Sequence, residues 1–406
     1  HRYGRRQRQM CIRDSILRGE FGNNLREVDA RGRTLDEKIS SEPKVGINLY
    51  TSLDLNSHQA AHKAFNNRKG AVVAIDIKDG SIVTLFSSPT FPTNQLANGI
   101  LQKDFDQLLL SEEKPFFNRA LKGRYPPASS IKPAIAMYGI EEGLIDWDFS
   151  IFDEGFFTLP EDGRIYRDWK EGGHGDTNLF KAITQSSNTY FFDLAYRSDI
   201  NQLNKHLSSL GFGGKACIDC FEEDKVFVPE PSWKMNKHNF GWFKGDTVNM
   251  GVGQGYLVST PIQLAKYAYI MANKGKFSDL SLKKDLVKSE KSIEFNKFSN
   301  DDWFKLHESM VNVIEGNTGT ARRLREKKNY IVAAKTGTAE LVSGDNREQY
   351  SETRLDDSLR DHALIIAFGP MPNPRYAVSV VVENGESGGS VAGPVAISVL
   401  NSLIQE

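Results

Sequence analysis

Strand-like runs sit towards the two ends of this chain and almost nowhere between, and that placement limits the fold more than any other feature. Ala71-Val72-Val73-Ala74-Ile75-Asp76 and Ser81-Ile82-Val83-Thr84-Leu85-Phe86 flank Lys78-Asp79-Gly80, a hairpin signal. Three more short apolar runs come only after residue 330, at 331–334, 363–368 and 376–383, the last two joined through 370–374. Between these ends the pattern is helix and loop. Residues 130–142 put Ile131, Ala134, Ile135 and Tyr138 on one face, with Gly143 as a stop. Residues 179–196, 200–210 and 303–314 read as further helices, and 392–403 as a closing one. Residues 260–273 open with a Thr260 cap and Pro261 at the first helical position, while 150–175 and 212–250 look irregular. Two strands, a long helical insert, three strands and a helix do not alternate as a parallel sheet requires. The expectation is an α/β (α+β) fold: an antiparallel five-stranded sheet flanked by helices on both sides.

Composition narrows the function classes. With 39% hydrophobic and 25% charged residues the bulk of the chain is neither disordered nor fibrous. The net charge of −1 leaves no global basic footprint for nucleic acid. Three cysteines exclude a disulfide-dense scaffold; Cys217 and Cys220 have CxxC spacing without a second pair, which favours a local disulfide or two free thiols over a metal site. The best apolar run, 363–371, is about half of the roughly 20 residues a spanning helix needs. Residues 1–15 are Arg-rich without periodicity and begin with His1, so they read as a disordered tail or an artefact, with the natural start upstream. Residues 16–68 are polar and irregular apart from a helix at 51–65, which Ser52 or Asp54 caps; a boundary near 66–70 separates them from a main domain at 69–406.

Three short motifs carry chemistry. Ser-x-x-Lys alone is weak, since the chain contains it at Ser41, Ser111, Ser129 and Ser281. Only Ser129–Lys132 opens an apolar helix, after Pro126-Pro127-Ala128, and its i, i+3 spacing puts both side chains on one face. A serine at a helix N-terminus has backbone N–H groups nearby for developing negative charge. Its lysine serves as a base only when burial and a second cation suppress the ammonium form. Ser186-Ser187-Asn188 offers a hydroxyl to shuttle a proton and an amide for a substrate carbonyl. Lys335-Thr336-Gly337-Thr338 ends a strand-like run, where a cation and hydroxyls suit a carboxylate and Gly337 admits a close backbone. Each motif alone is more often a cap, a solvated lysine or a turn.

Taken in order, Ser-x-x-Lys, Ser-x-Asn and Lys-Thr-Gly resemble the motif set of penicillin-binding proteins and serine β-lactamases. The sequence is most similar to class B transpeptidases of the penicillin-binding protein 2 group. Gly70-Ala71-Val72-Val73, Asn118-Arg119-Ala120, Gly253-Gln254-Gly255-Tyr256 with Thr260-Pro261, residues 334–340, and Glu383-Asn384-Gly385 with Gly388-Gly389-Ser390 carry the likeness beyond the motifs. The resemblance implies the penicillin-binding transpeptidase fold, with residues 16–68 as the remnant of a pedestal domain. It implies a peptidoglycan D,D-transpeptidase of cell elongation, anchored in a bacterial inner membrane with its catalytic domain in the periplasm. Ser129 would attack the D-Ala-D-Ala bond of a stem peptide, Lys132 take its proton, and Ser186 relay one to the leaving D-alanine. Asn188 would bind the substrate amide, and Lys335, Thr336 and Thr338 its carboxylate, with Gly337 lining the strand. Stem peptides, β-lactams and a glycan polymerase of the rod complex are the implied partners, and no cofactor is required. Relatives can hold zinc through two Asp, one His and one Cys; Asp153, Asp168 and His174 match the first three, and Ser187 stands at the cysteine position, a poorer ligand. Two rival readings share the fold: a carboxypeptidase or β-lactamase, for which no local pattern marks a deacylating Glu, and a sensor that acylates without turnover.

Overall fold

The computed structural model describes residue 17 and residues 19–284, 286, 288–341 and 359–404; the opening segment 1–15 lies outside the described residues. The chain divides into two units, one made of residues up to Ser52 together with 283–286, the other of the remainder. In the first, β1 (Asn23–Val28) pairs antiparallel with β2 (Thr34–Ser41). The Asp29 carboxylate closes their turn by accepting from Arg31 N, Arg33 N and Arg33 Nε. Both strands are exposed along their whole length, so no face alternates and the hairpin left no period-two signal in the sequence.

In the larger unit, β3 (Gly70–Asp76) and β4 (Ser81–Ser88) form the expected hairpin. Three two-stranded ribbons follow in the insert: β5 (Ser150–Asp153) with β8 (Gly175–Asn178), β6 (Phe156–Thr158) with β7 (Ile165–Arg167), and β9 (Lys276–Ser278) with β10 (Glu290–Ser292). The last strands are β11 (Ala333–Ala339), β12 (His362–Gly369) and β13 (Tyr376–Val382). They join the first hairpin in one antiparallel sheet of order β11-β12-β13-β3-β4, which is the sheet the sequence pattern predicts.

Both faces of this sheet are covered, which explains its unbroken apolar runs. Because i and i+2 share a face, Ala71, Val73 and Ile75 join one core while Val72 and Ala74 join the other. The first core takes in Ile366 and Phe368 together with helices α2 (Lys132–Glu141), α5 (Pro261–Ala272) and α6 (Asn300–Glu315). The second packs Ile365, Val378 and Val380 against Ala61 and Phe65 of α1 (Leu55–Phe65) and against Val395, Val399 and Leu400 of α7 (Gly393–Ile404). Asp54 is the residue that caps α1, accepting from Ser57 N. Thr260 and Gln263 cap α5 reciprocally, with Pro261 in the first turn.

Several elements differ from expectation. The helix expected over 179–196 is two, α3 (Leu179–Gln185) and α4 (Asn188–Arg197). Ser186 adopts a left-handed φ of 61°, and Ser187 accepts from Tyr190 N to start α4. Serines serve caps better than helix interiors, but the apolar period runs on across the break and hides it. The 130–142 helix starts with a 3-10 turn, Ala128–Ile131. The stretch 212–250 holds helices Pro231–His238 and Lys244–Gly251. Cys217 and Cys220 are joined as a local disulfide.

Phe65 is fully buried while Leu55, on the same helix, is 70% exposed. In equilibrium urea unfolding, Phe65→Ala is expected to lower stability by about 3–5 kcal/mol. Leu55→Ala is expected to change it by about 0.5 kcal/mol or less; equal effects would contradict the docking of α1.

Candidate active site

The serine turn is held from three sides. Ala128 has a left-handed φ of 49°, unusual for a residue with a Cβ. It is kept there by Gly253, whose carbonyl accepts from Ala128 N at 2.8 Å. A Cβ on Gly253 would stand 2.2 Å from the Ala128 carbonyl oxygen, so only glycine fits. Within the turn, Ser130 points inward and donates to Pro127 O at 2.6 Å, while Ser129 is half-buried at the surface of the cleft. The Lys132 N–H donates to the Ser129 carbonyl, which fixes the two residues on successive turns. Strand β11 lies against this turn: a Cβ on Gly337 would reach within 3.1 Å of Pro127 O and 3.3 Å of Ser130 N.

Two buried lysines converge on Ser186. Lys132 Nζ donates to Ser186 O at 2.8 Å and to Asn188 Oδ1 at 2.7 Å, and lies 3.3 Å from Ser186 Oγ. Lys335 Nζ donates to Ser186 Oγ at 2.7 Å and to Thr336 O at 3.2 Å. Both lysines are fully buried. Burial depresses Lys132 to about 7, against the pull of Asp168 and then Asp153 towards the ammonium form. Lys335 is driven well below the ordinary lysine range by burial and then by the charge of Lys132. The arrangement therefore holds an amine near neutrality beside the turn that bears Ser129, which is what activation of a serine hydroxyl needs. The left-handed Ser186 turns both its carbonyl and its hydroxyl towards the lysines, a strained conformation of the kind that collects at functional sites.

Thr336 is buried, with its hydroxyl 2.7 Å from that of Thr320. Thr338 is exposed, and its carbonyl accepts from Gln254 Nε2 at 3.3 Å. Gly253, Gln254 and Thr320 thus belong to the site. The Gly253-Gln254-Gly255 stretch was visible as a motif; Thr320 had no signal, because nothing local marks a hydroxyl that reaches a strand from another segment. Trp169 was also missed: its indole N–H donates to Ser186 O at 3.1 Å.

Asp153, Asp168 and His174 come together at the N-terminus of α4, with one ligand atom of each within 4.8 Å of the others. Asp168 Oδ2 accepts from Asn188 N at 2.6 Å and Thr189 N at 3.0 Å. Burial alone would raise this carboxyl. The His174 hydrogen bond, the Lys132 charge and the backbone N–H groups of Thr189 and Lys170 instead hold it well below the usual range. His174 Nδ1 is 3.0 Å from Gln185 Oε1, while Nε2 faces Asp168 Oδ1 at 3.3 Å. The Gln185 amide is itself oriented by Thr318. Ser187 is fully buried and spends its proton on Asp153 Oδ2 at 2.7 Å. Two carboxylates and an oriented imidazole fit a divalent cation with three protein ligands; the serine is satisfied without one.

Comparison with known proteins places this geometry. Residues 70–401 match the family described as the penicillin binding protein transpeptidase domain. The chain is 38% identical over 388 residues to the peptidoglycan D,D-transpeptidase MrdA of Acinetobacter baumannii, covering 93% of this chain and 57% of that protein. It is 33% identical to MrdA of Escherichia coli K12, covering 96% and 63%. The chain therefore spans less than two thirds of these relatives. Among solved structures it resembles PBP2 of Pseudomonas aeruginosa in complex with WCK 5153, with TM-score 0.81 and 34% identity over 90% of this chain and 80% of that one. It also resembles PBP2 of Helicobacter pylori in complex with MreC, with TM-score 0.84 and 29% identity over 96% and 70%. The family match takes in the serine turn, the two lysines and every strand of the large sheet, and the chain belongs to the penicillin-binding protein transpeptidase family.

Proposed function

We propose that this chain carries the catalytic part of a peptidoglycan D,D-transpeptidase of the MrdA, or penicillin-binding protein 2, type. The observation that carries the reading is the pair of buried lysines meeting at Ser186 beside the Ser129 turn. Ser129 Oγ attacks the carbonyl of the D-Ala-D-Ala bond as Lys132, in its amine form, takes the proton. The backbone N–H groups of Ser129 and Thr338 receive the developing oxyanion, each such donor being typically worth about 10²–10³ in rate. The substrate carboxylate brings a negative charge to Lys335, Thr336 and Thr338, and Ser186 Oγ, which already bridges the two amines, passes a proton to the departing D-alanine. Asn188 orients the substrate amide. The acyl group then passes from Ser129 to an amine of a neighbouring stem peptide, and no cofactor takes part in a step.

Residues 69–406 form the transpeptidase domain in this reading, and 16–68 belong to a pedestal region. Among the described residues no helix is long and apolar enough to cross a membrane. Work at the inner membrane, with the catalytic domain in the periplasm, is inferred from the MrdA likeness. Partnership with a glycan polymerase rests on the likeness to a solved peptidoglycan synthase complex that coordinates polymerization and crosslinking. Zinc at Asp153, Asp168 and His174 would tie the β5–β8 ribbon to the start of α4 and so brace the site.

Intact-protein mass spectrometry after incubation with benzylpenicillin is the direct test. A persistent adduct on the parent and none on Ser129→Ala is the expected result; rapid release of opened drug would instead indicate a hydrolase. Lys132 must be unprotonated to accept the serine proton. The acylation rate should therefore rise about tenfold per pH unit below about 7 and level off above it, as followed by stopped-flow labelling. A flat profile between pH 5 and 8 would remove Lys132 as the base. Replacing Ser187 by Cys should tighten zinc by at least about tenfold in a competition assay with a chromogenic chelator; equal affinity would place residue 187 outside the coordination sphere, and no zinc uptake by either protein would show that the three-residue cluster is not a zinc site.

A further inference from the structure

Trp169 sits where the catalytic lysine, the strained serine and solvent meet. Its indole N–H and Lys132 Nζ donate to the same oxygen, the carbonyl of Ser186, at 3.1 and 2.8 Å. A carbonyl has two lone pairs, so both donors are accommodated and the indole is fixed in place beside the lysine. The backbone that delivers Trp169 is equally fixed. Asp168 N donates to Gly155 O, and the Asp168 carboxylate is held by the first N–H groups of α4. On the way out, Asp168 Oδ1 accepts from Lys170 N, which closes the turn behind the tryptophan. His174 supports the ring with its centroid 5.6 Å away.

Despite these restraints Trp169 is 60% exposed. A tryptophan used only to brace a carbonyl gains nothing by leaving its ring in water, since burial of aromatic surface is favourable. A flat apolar surface held rigidly at the rim of a polar site is instead the usual way a cleft orients a ligand that its few polar groups capture.

We propose that Trp169 is a substrate-positioning residue whose exposed indole face receives the apolar portion of the acyl donor, namely the aliphatic stem preceding the scissile bond or the acylamino side chain of a β-lactam. The Ser186 hydrogen bond sets the ring's position, so the group that shuttles the proton and the surface that seats the donor are tied to one carbonyl. This inference rests on the transpeptidase reading.

The test compares second-order acylation rate constants for benzylpenicillin, which carries an aromatic side chain, and 6-aminopenicillanic acid, which carries none. Parent, Trp169→Phe and Trp169→Gln are measured. Trp169→Gln keeps an N–H donor and loses the ring; it should lose about tenfold with benzylpenicillin and less than about threefold with 6-aminopenicillanic acid. Trp169→Phe keeps a flat ring and should keep the parent's preference between the two within about threefold. A structural role alone would lower both rates together and leave their ratio unchanged, which would overturn the proposal. Should Trp169→Gln fail to fold, Trp169→Phe decides, since collapse of its ratio to unity would also overturn it. Absence of labelling on the parent would count against the transpeptidase reading itself, whereas a labelled parent with an unmoved ratio counts only against Trp169.

Discussion

Everything about the site depends on the removal of two lysines from water. At about 1.4 kcal/mol per pH unit, lowering Lys132 from 10.5 to about 7 withdraws roughly 5 kcal/mol from the ammonium form. One charge-assisted hydrogen bond, worth about 1.5–3 kcal/mol, does not restore that. Burial wins because Lys132, the first residue of α2, is fully enclosed, with its Nζ over the ring of Phe191 on α4. Lys335 comes to the same point from the sheet, itself depressed by burial and then by the charge of Lys132, and Ser186 Oγ meets both amines. An amine at that point can take a proton from a neighbouring hydroxyl and return it without a metal or an imidazole.

The sheet makes this possible by bringing distant segments together. Lys335 is on β11, an edge strand whose far side is open to the insert. The insert leaves the sheet after β4 and returns before β11, and on its way it supplies the serine turn, the Ser186 break and the Gly253 strap. Two glycines allow the backbones to close: Gly253 against Ala128 and Gly337 against Pro127 and Ser130. The left-handed residues Ala128 and Ser186 lie at the two contacts where chemistry is assigned. Their strain is affordable because the cores on both faces of the sheet hold the surrounding elements in place.

Much of this was legible in the sequence, for identifiable reasons. The end-loaded strand runs gave the antiparallel sheet, since each run has to find neighbours that lie far away in the chain. Four Ser-x-x-Lys matches could not be ranked by spacing; burial separates them, because Lys132 is fully enclosed while Lys44, Lys114 and Lys284 are exposed. The apolar helix after Ser129 was the local sign of that burial. The helix break at Ser186 was not legible, because capping serines interrupt the backbone without interrupting the apolar stripe. Thr320 and Trp169 were not legible either: each reaches the site through a hydrogen bond to a residue 16 or 17 positions away, and no period or motif encodes such a contact.

Asp168 links the site to its surroundings in a way that no single motif reveals. Its carboxylate accepts from the first two N–H groups of α4, where the helix dipole favours a negative charge. The same group faces His174 and pulls Lys132 towards its charged form. Removing that charge would free the start of α4, and with it Asn188, and would lower Lys132 further. Placing a cation between Asp168 and His174 would also weaken its pull on Lys132, but would leave the helix end anchored. The carboxylate thus separates two tasks, anchoring Asn188 and setting the basicity of Lys132, and a bound cation would act on the second far more than on the first. Ser187 donates to Asp153, the other carboxylate that draws Lys132 towards its charged form, so the basicity of Lys132 is a balance between burial and these two acids.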